Sequence, residues 1–371
     1  MPSWNARIDR ARGVAIAIVG IYHYRIFCPT DGVFPYSTAL NRVISAGSYG
    51  VTVFFVISGF LITTRSLQRW GEPGRIHVGE FFTMRAARIL PGLALLLFVL
   101  TLLHLAKVPR FTAPADRSVL DAIWYAITFR YYDVVGYNNV EGMFSWSPIW
   151  SLSVEETFYI VFPFACLLLR RRAIFAAAML AIVAAGPYLH STRPFNGLHY
   201  SIDALAMGCL AAVVAQQIEL TAVAAFVLRW FGVAMGFAGF WYPGPWWASG
   251  LELGVAAYLI GSASHPGYAS LLDSPLRFLG RHSYELYLFH LPGILLFSMV
   301  ASNIGPRTNT IEFVGFFLAL SCVAWAVARY VTEPANRYIR HSLKSLRPPR
   351  GPTGPDEPSE AVIAAAPAAQ R

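Results

Sequence analysis

VAIAIVGIYHYRIFC, residues 14–28, decides how the rest of the chain is read. It opens as an unbroken apolar run, carries His23 and Arg25 near its end, and follows Arg7, Arg10 and Arg12. A basic segment before an apolar run is also the layout of a secretory signal. Here no small-residue cleavage site follows, and the polar ending does not suit a signal core. The stretch is therefore expected to be a retained first membrane span, about 13–28.

Comparable apolar runs recur at about 48–64, 89–106, 150–169, 173–189, 198–216, 222–241, 246–264, 281–300 and 311–332. Each is near the length of about 20 residues that crosses a bilayer as a helix. Composition agrees: of 371 residues, 56% are hydrophobic and 13% charged, about half the usual charged share of about 25%. That excludes a soluble globular enzyme, a disordered protein and a disulfide-stapled secreted domain. The expected fold is an all-α integral membrane protein, a bundle of about ten transmembrane helices. One extra re-entrant or interfacial helix is expected at Ser118–Val135, which carries Asp121, Arg130 and Asp133.

The arginines set the orientation. Arg65, Arg69, Arg75, Arg85 and Arg88 form one cluster, Arg170, Arg171 and Arg172 a second, and Arg337, Arg340, Lys344, Arg347 and Arg350 a third. With ten crossings and a cytoplasmic N-terminus all three fall on the cytoplasmic side; an eleventh crossing separates them. A multi-pass protein of the cell inner membrane with both termini cytoplasmic is expected. The net charge of +9 is thereby explained by topology, with no nucleic-acid partner. Cys28, Cys166, Cys209 and Cys322 show no paired spacing and read as packing residues, and no metal is expected. Residues 1–347 read as one membrane domain, and the Pro- and Ala-rich 348–371 as a disordered cytoplasmic tail.

With no sizeable extramembrane segment, chemistry falls to polar residues in or beside the helices, where an unpaired ionisable group costs several kcal/mol. His23 lies 11 residues beyond Arg12, about 16 Å along a helix axis. Neutral imidazole can take a proton from an alcohol; equally, His23 can serve as a hydrogen-bonding residue to a neighbouring helix. Arg85 and Arg88 share a helix face and suit a nucleotide phosphate, although membrane-edge arginines also act as orientation signals. Ser151 or Ser153 is expected to cap the helix that carries Glu155 and Glu156 near the outer interface. Ser58-Gly59-Phe60 permits close helix contact. Tyr287 lies four residues from Ser283 and three from His290, so one face can line a polar cavity. Asp203 and Glu333, in or at the ends of apolar runs, each need a partner.

Taken in order, Asp9–His23 (DRARGVAIAIVGIYH), Gly50–Thr63 (GVTVFFVISGFLIT), Arg85–Pro91 (RAARILP), Trp150–Pro163 (WSLSVEETFYIVFP), Leu279–Pro292 (LGRHSYELYLFHLP) and Glu333-Pro334 resemble the acyltransferase-3 family of integral membrane O-acyltransferases. The resemblance implies transfer of an acyl group, commonly acetyl from acetyl-CoA, to a hydroxyl. The acceptor is then carbohydrate or a glycosylated small molecule: a surface polysaccharide, a lipid-linked glycan or a macrolide-type metabolite. By resemblance, His23 matches the family's essential histidine, Arg12 the arginine preceding it, Arg85 and Arg88 the RxxR pair, and Ser58-Gly59-Phe60 its SGF signature. Arg10-Ala11, Thr52 and Ser201 depart from the family pattern. Some relatives carry a C-terminal extracytoplasmic transferase domain, and this chain is expected to be the stand-alone form.

The expected mechanism assigns acyl-CoA, with no metal, to Arg12, Arg85 and Arg88. His23 is the general base, oriented by Glu155 or Glu156, and Ser58, Asp203, Tyr287 and His290 face the substrate. Direct transfer and a covalent acyl-histidine remain alternatives. The competing class is a multi-span transporter or flippase of a polar or lipid-linked substrate. The cytoplasmic Arg-x-x-Arg and the absence of an inverted repeat favour the enzyme.

Overall fold

Asn5 starts the first helix, α1 (Ala6–Phe27), its side chain accepting a hydrogen bond from the Arg7 N–H at 3.1 Å. The computed structural model describes residues 5–28, 42, 44–47, 49–112, 118–131, 144–192, 201–242, 245–265, 267, 274–304 and 310–345. The tail expected at 348–371, Asp133 and part of the stretch around His199 lie outside the described residues. The chain continues through α2 (Tyr49–Trp70), α3 (Val78–Leu105), α4 (Val119–Ile127), α5 (Ile149–Leu169), α6 (Arg172–Thr192) and α7 (Ile202–Gln217). Then follow α8 (Ala222–Trp241), α9 (Pro245–Ser264), α10 (Ser274–Arg281), α11 (Ser283–Ile304), α12 (Thr310–Val327), a π turn at Ala328–Thr332, and α13 (Glu333–Ser345). No strand occurs among the described residues.

Six helical stretches are long and apolar enough to cross a membrane: Tyr49–Trp70, Val78–Leu105, Ile149–Leu169, Ala222–Trp241, Ser283–Ala301 and Thr310–Ser342. Helices also occupy the four other runs expected to span, but α7 has only 16 residues. Charged Arg7, Asp9, Arg10 and Arg12 fill the first turns of α1, and Ser, Gly and Glu252 dilute α9. By length and apolarity, then, the described residues give six candidate spans against the ten expected. The extra helix is α4, nine residues closed by a Ser118–Asp121 capping box and too short to cross. It buries Ala122 and Ala126 and exposes Leu120, Trp124 and Ile127.

Lipid gives no hydrophobic drive for helix association, so close packing falls to small residues. The Ser58-Gly59-Phe60 segment works this way: a Cβ on Gly59 would meet the Leu205 carbonyl, and one on Gly208 the Val56 carbonyl, so α2 and α7 cross backbone to backbone. Gly13 against Leu276 and Gly280 against Asp9 bring α1 onto α10, and Gly232 and Gly254 join α8 to α9. The far end of α1 is fixed differently. Tyr24 is fully buried, with Phe297, Phe313, Phe316 and Phe317 at ring-centroid distances of 5.9, 5.0, 5.6 and 5.8 Å.

Gly208→Val places two methyls where the α2 backbone already sits. It is expected to cost about 1–3 kcal/mol, the usual range for overpacking a tight site. The check is a lowered thermal midpoint of the detergent-purified protein, and an unchanged midpoint would contradict the crossing.

Candidate active site

A cavity of about 150 Å³ opens between α1, α2, α3, α5 and the α10–α11 corner. Arg12, Arg65, Arg85, Arg88 and Arg281 line it together with Ser58, Ser151, Glu155, Tyr159, Ser283, Tyr284 and Tyr287, among apolar side chains. On α2, Ser58 and Arg65 both face it, two helical turns or about 10 Å apart. The guanidinium groups and the hydroxyl–carboxylate groups therefore occupy different levels of one cavity.

At the basic level, helix geometry gathers four cations from three helices. Arg85 and Arg88 are three residues apart in the first half of α3; Arg12 comes from α1 and Arg65 from the last turns of α2. Among the described residues none of these four has an ion-pair partner. The Arg85 guanidinium lies over the rings of Tyr159 and Phe81, 5.3 and 5.8 Å from their centroids. Arg281 differs, its Nε 3.6 Å from Asp9 Oδ2.

At the other level, Glu155 and Tyr159 sit one turn apart on α5, and Ser58 reaches them from α2. The Ser58 and Tyr159 hydroxyls both donate to Glu155 Oε1 and lie 2.7 Å from each other. Ser151 donates to the Pro148 carbonyl at 3.2 Å. The Tyr287 hydroxyl, 2.6 Å from Ser151 Oγ, therefore donates to Ser151, whose single proton is already used. Neither Ser151 nor Ser153 caps α5, contrary to expectation. The helix begins at Ile149 after Pro148, which leaves no acid in its first turn. Ser153 instead donates to the Ile149 carbonyl at 2.9 Å and accepts from the Tyr131 N–H at 3.3 Å.

His23 and His290 lie behind this wall and are not among the residues that line the cavity. His23 Nδ1 is 3.0 Å from the Val19 carbonyl and 3.2 Å from His290 Nε2, the two rings having centroids 5.0 Å apart. His290 in turn touches Tyr287, ring to ring at 5.4 Å. A continuous chain of contacts thus runs from the cavity through Tyr287 and His290 to His23. The carboxylate expected to orient His23 is not its hydrogen-bond partner: Glu155 is engaged by Ser58 and Tyr159. Glu156, one residue on, is turned from the cavity and buried, its Oε1 without a hydrogen-bond partner among the described residues.

Asp203 stands apart from the cavity. It is fully buried in the first turn of α7, accepting from the Ala204 N–H at 3.1 Å, packed against Gly186 of α6 and electrostatically coupled to buried Glu252 of α9. Glu333, the first residue of α13, is exposed. Sequence reasoning took Arg65 for an orientation signal and passed over Tyr159, Tyr284 and Arg281 as site residues. Two of these had a readable cue: Arg65 is seven residues beyond Ser58, and Tyr159 four beyond Glu155, each on the same helix face. No group of three or more His, Cys, Asp or Glu that could hold a metal occurs among the described residues.

Residues 5–329 match the family model described as "Acyltransferase domain". Among curated proteins, O-acetyltransferase OatA of Staphylococcus aureus (strain NCTC 8325 / PS 47) is 25% identical over 326 residues, covering 79% of this chain and 51% of that protein. Putative O-acetyltransferase SACOL0978 of Staphylococcus aureus (strain COL) is 26% identical over 321 residues, covering 76% of this chain and 49% of that protein. The chain thus spans about half the length of the curated relatives it matches. No solved structure matches. The family match runs from residue 5 to residue 329, through every helix that lines the cavity, and the chain belongs to the acyltransferase-3 family.

Proposed function

We propose that this chain is a membrane O-acyltransferase that moves an acetyl group from acetyl-CoA to a hydroxyl of a sugar-containing acceptor. One observation carries the reading: four guanidinium groups converge on one cavity without an ion-pair partner among the described residues. Like charges gathered in a low-dielectric wall repel, and an anion with several phosphate oxygens relieves this through bidentate, charge-assisted hydrogen bonds. Coenzyme A offers a diphosphate and a 3′-phosphate on a long flexible thiol arm. With its phosphates at Arg12, Arg85 and Arg88, and Arg65 beside them, the arm runs toward Ser58, Glu155 and Tyr287. Both relatives are named as O-acetyltransferases, one of them as putative, which supports acetyl as the group moved.

In the proposed reaction the acceptor hydroxyl attacks the thioester carbonyl as its proton passes to His23, acting as general base. The tetrahedral oxyanion then collapses, the carbon–sulfur bond breaks, and the thiolate leaves with the proton His23 took up. Tyr287 lines the cavity and touches His290, so its ring marks where donor and base must meet. The cytoplasm supplies acetyl-CoA, consistent with an inner-membrane protein whose arginine level and termini face inward. A surface polysaccharide, a lipid-linked glycan or a macrolide-type metabolite fits as acceptor.

Replacing Arg88 or Arg85 by Ala removes a charge-assisted contact worth about 1.5–3 kcal/mol, so acetyl-CoA affinity is expected to fall about tenfold or more. Titration calorimetry on detergent-purified protein reads this, and unchanged affinity in both variants would remove the phosphates from the arginine level.

His23→Ala separates binding from chemistry. Because His23 lies off the cavity, acetyl-CoA affinity is expected to stay at the wild-type value, while acetyl transfer falls about 10²–10⁴-fold, the range typical of a lost general base. Transfer is read by mass spectrometry of host glycans and secreted metabolites; a variant that still acetylates at the wild-type level ends the assignment of His23.

A further inference from the structure

We infer that His290 is a positioning residue for His23: it shares the His23 Nδ1–H with the Val19 carbonyl, and the two acceptors together hold the ring in the tautomer whose Nε2 takes the substrate proton. This inference rests on the reading of His23 as general base. Sequence reasoning gave His290 a place against substrate, and the geometry gives it another. His290 is 1% exposed and lines no part of the cavity.

The assignment follows from which atoms can only accept. A backbone carbonyl has no proton, so His290 Nδ1, 2.7 Å from the Tyr287 carbonyl, must be the protonated nitrogen of that ring. In a neutral imidazole its Nε2 then carries the lone pair. By the same rule His23 Nδ1, 3.0 Å from the Val19 carbonyl, bears a proton. That proton is shared with His290 Nε2 at 3.2 Å. His23 Nε2 is left with the lone pair, and His23 itself remains half-buried.

When His23 Nε2 takes a proton from the acceptor hydroxyl, the ring becomes a cation with both nitrogens protonated. Its Nδ1–H then strengthens the bond to His290 Nε2, while His290 stays neutral throughout. The arrangement does what a carboxylate does for a catalytic histidine, holding the tautomer and supporting the cation, without burying a second charge beside the bundle core. Tyr22, whose ring edge meets His23 at 5.0 Å, and Tyr287, beside His290, are the other titratable rings at the pair. Tyr24, packed among four phenylalanines, keeps α1 from shifting His23 away.

The test uses inside-out membrane vesicles of the protein's own host, freed of the chromosomal copy and carrying plasmid-borne variants, fed with radiolabelled acetyl-CoA. Initial rates are normalised to the amount of protein. His290→Leu removes one of the two acceptors. His290→Asn keeps a polar group near the Tyr287 carbonyl but is too short to reach His23, and His290→Gln carries an amide oxygen at the Nε2 position. Asn and Leu are expected to lower kcat about 10–100-fold, part of the contribution of general-base catalysis, with KM for acetyl-CoA unchanged, and Gln is expected to restore most of kcat. Wild-type kcat in both Leu and Asn overturns the inference; so does a Gln variant no better than Asn, and so does a fall expressed in KM alone. If Leu fails to fold, the Asn–Gln comparison decides alone. A His23→Ala protein as active as wild type instead sinks the base assignment itself, an outcome separate from any His290 result.

Discussion

An excess of positive charge, four guanidinium groups without an ion-pair partner among the described residues, is the constraint on which the site depends. Two unit charges 4 Å apart repel by about 4 kcal/mol in a typical protein dielectric, and here Arg12, Arg65, Arg85 and Arg88 share one cavity. Their convergence is imposed by the backbone. Arg12 is delivered by the α1–α10 crossing, where Gly13 and Gly280 bring the backbones together. Arg65 arrives on α2, which Gly59 and Gly208 lock against α7. Arg85 and Arg88 come on α3, whose Gly92 meets Tyr284 of α11. Fixed helices hold the repulsion in place, and in the proposed function an anionic donor relieves it.

α1 matters at both ends. Its first turns are pinned to α10, where Asp9 also meets Arg281 at 3.6 Å; its last turns are pinned by the aromatic cage around Tyr24. Arg12 and His23 therefore ride on one clamped rod, 11 residues apart. A fixed separation between the anion level and the imidazole is what transfer from a long-armed donor requires, because misplacement by about 1 Å can cost about a hundredfold in rate. On the proposed reading, the interval between Arg12 and His23 serves as a length standard built into a single helix.

Much of this was legible in the sequence, and the limit has a physical cause. Periodicity, apolar runs and i, i+3 or i, i+4 spacing are local, so they found the helices, the Arg85–Arg88 pair and the face of α11 bearing Ser283 and Tyr287. The extra short helix and the close contact at Ser58-Gly59-Phe60 were local as well. Contacts between helices are not encoded in spacing. His23 and His290 are 267 residues apart, and Glu155 meets Ser58 across 97. For that reason spacing alone could not show that Glu155 is engaged by Ser58 and Tyr159, or that His290 lies against His23. Span counting met a related limit. The charged first turns of α1 and the Ser, Gly and Glu252 of α9 keep those helices below the apolarity of a lipid-facing span, and α7 is apolar but has only 16 residues.

The contact chain from Tyr287 through His290 to His23 has a consequence for how a membrane enzyme handles two unlike substrates. The guanidinium groups line the cavity, while His23 sits behind the wall and is half-buried. On the proposed reading, donor affinity and proton transfer are set by separate groups of residues that meet only at Tyr287. A polar acceptor then has no need to pass the guanidinium level, and a highly charged donor has no need to cross the bilayer. Only an uncharged acetyl carbonyl on a narrow arm has to reach the junction, the one part of acetyl-CoA whose transfer into an apolar wall costs little. On that reading, a single aromatic ring divides the site, and the two substrates are separated by charge rather than by shape.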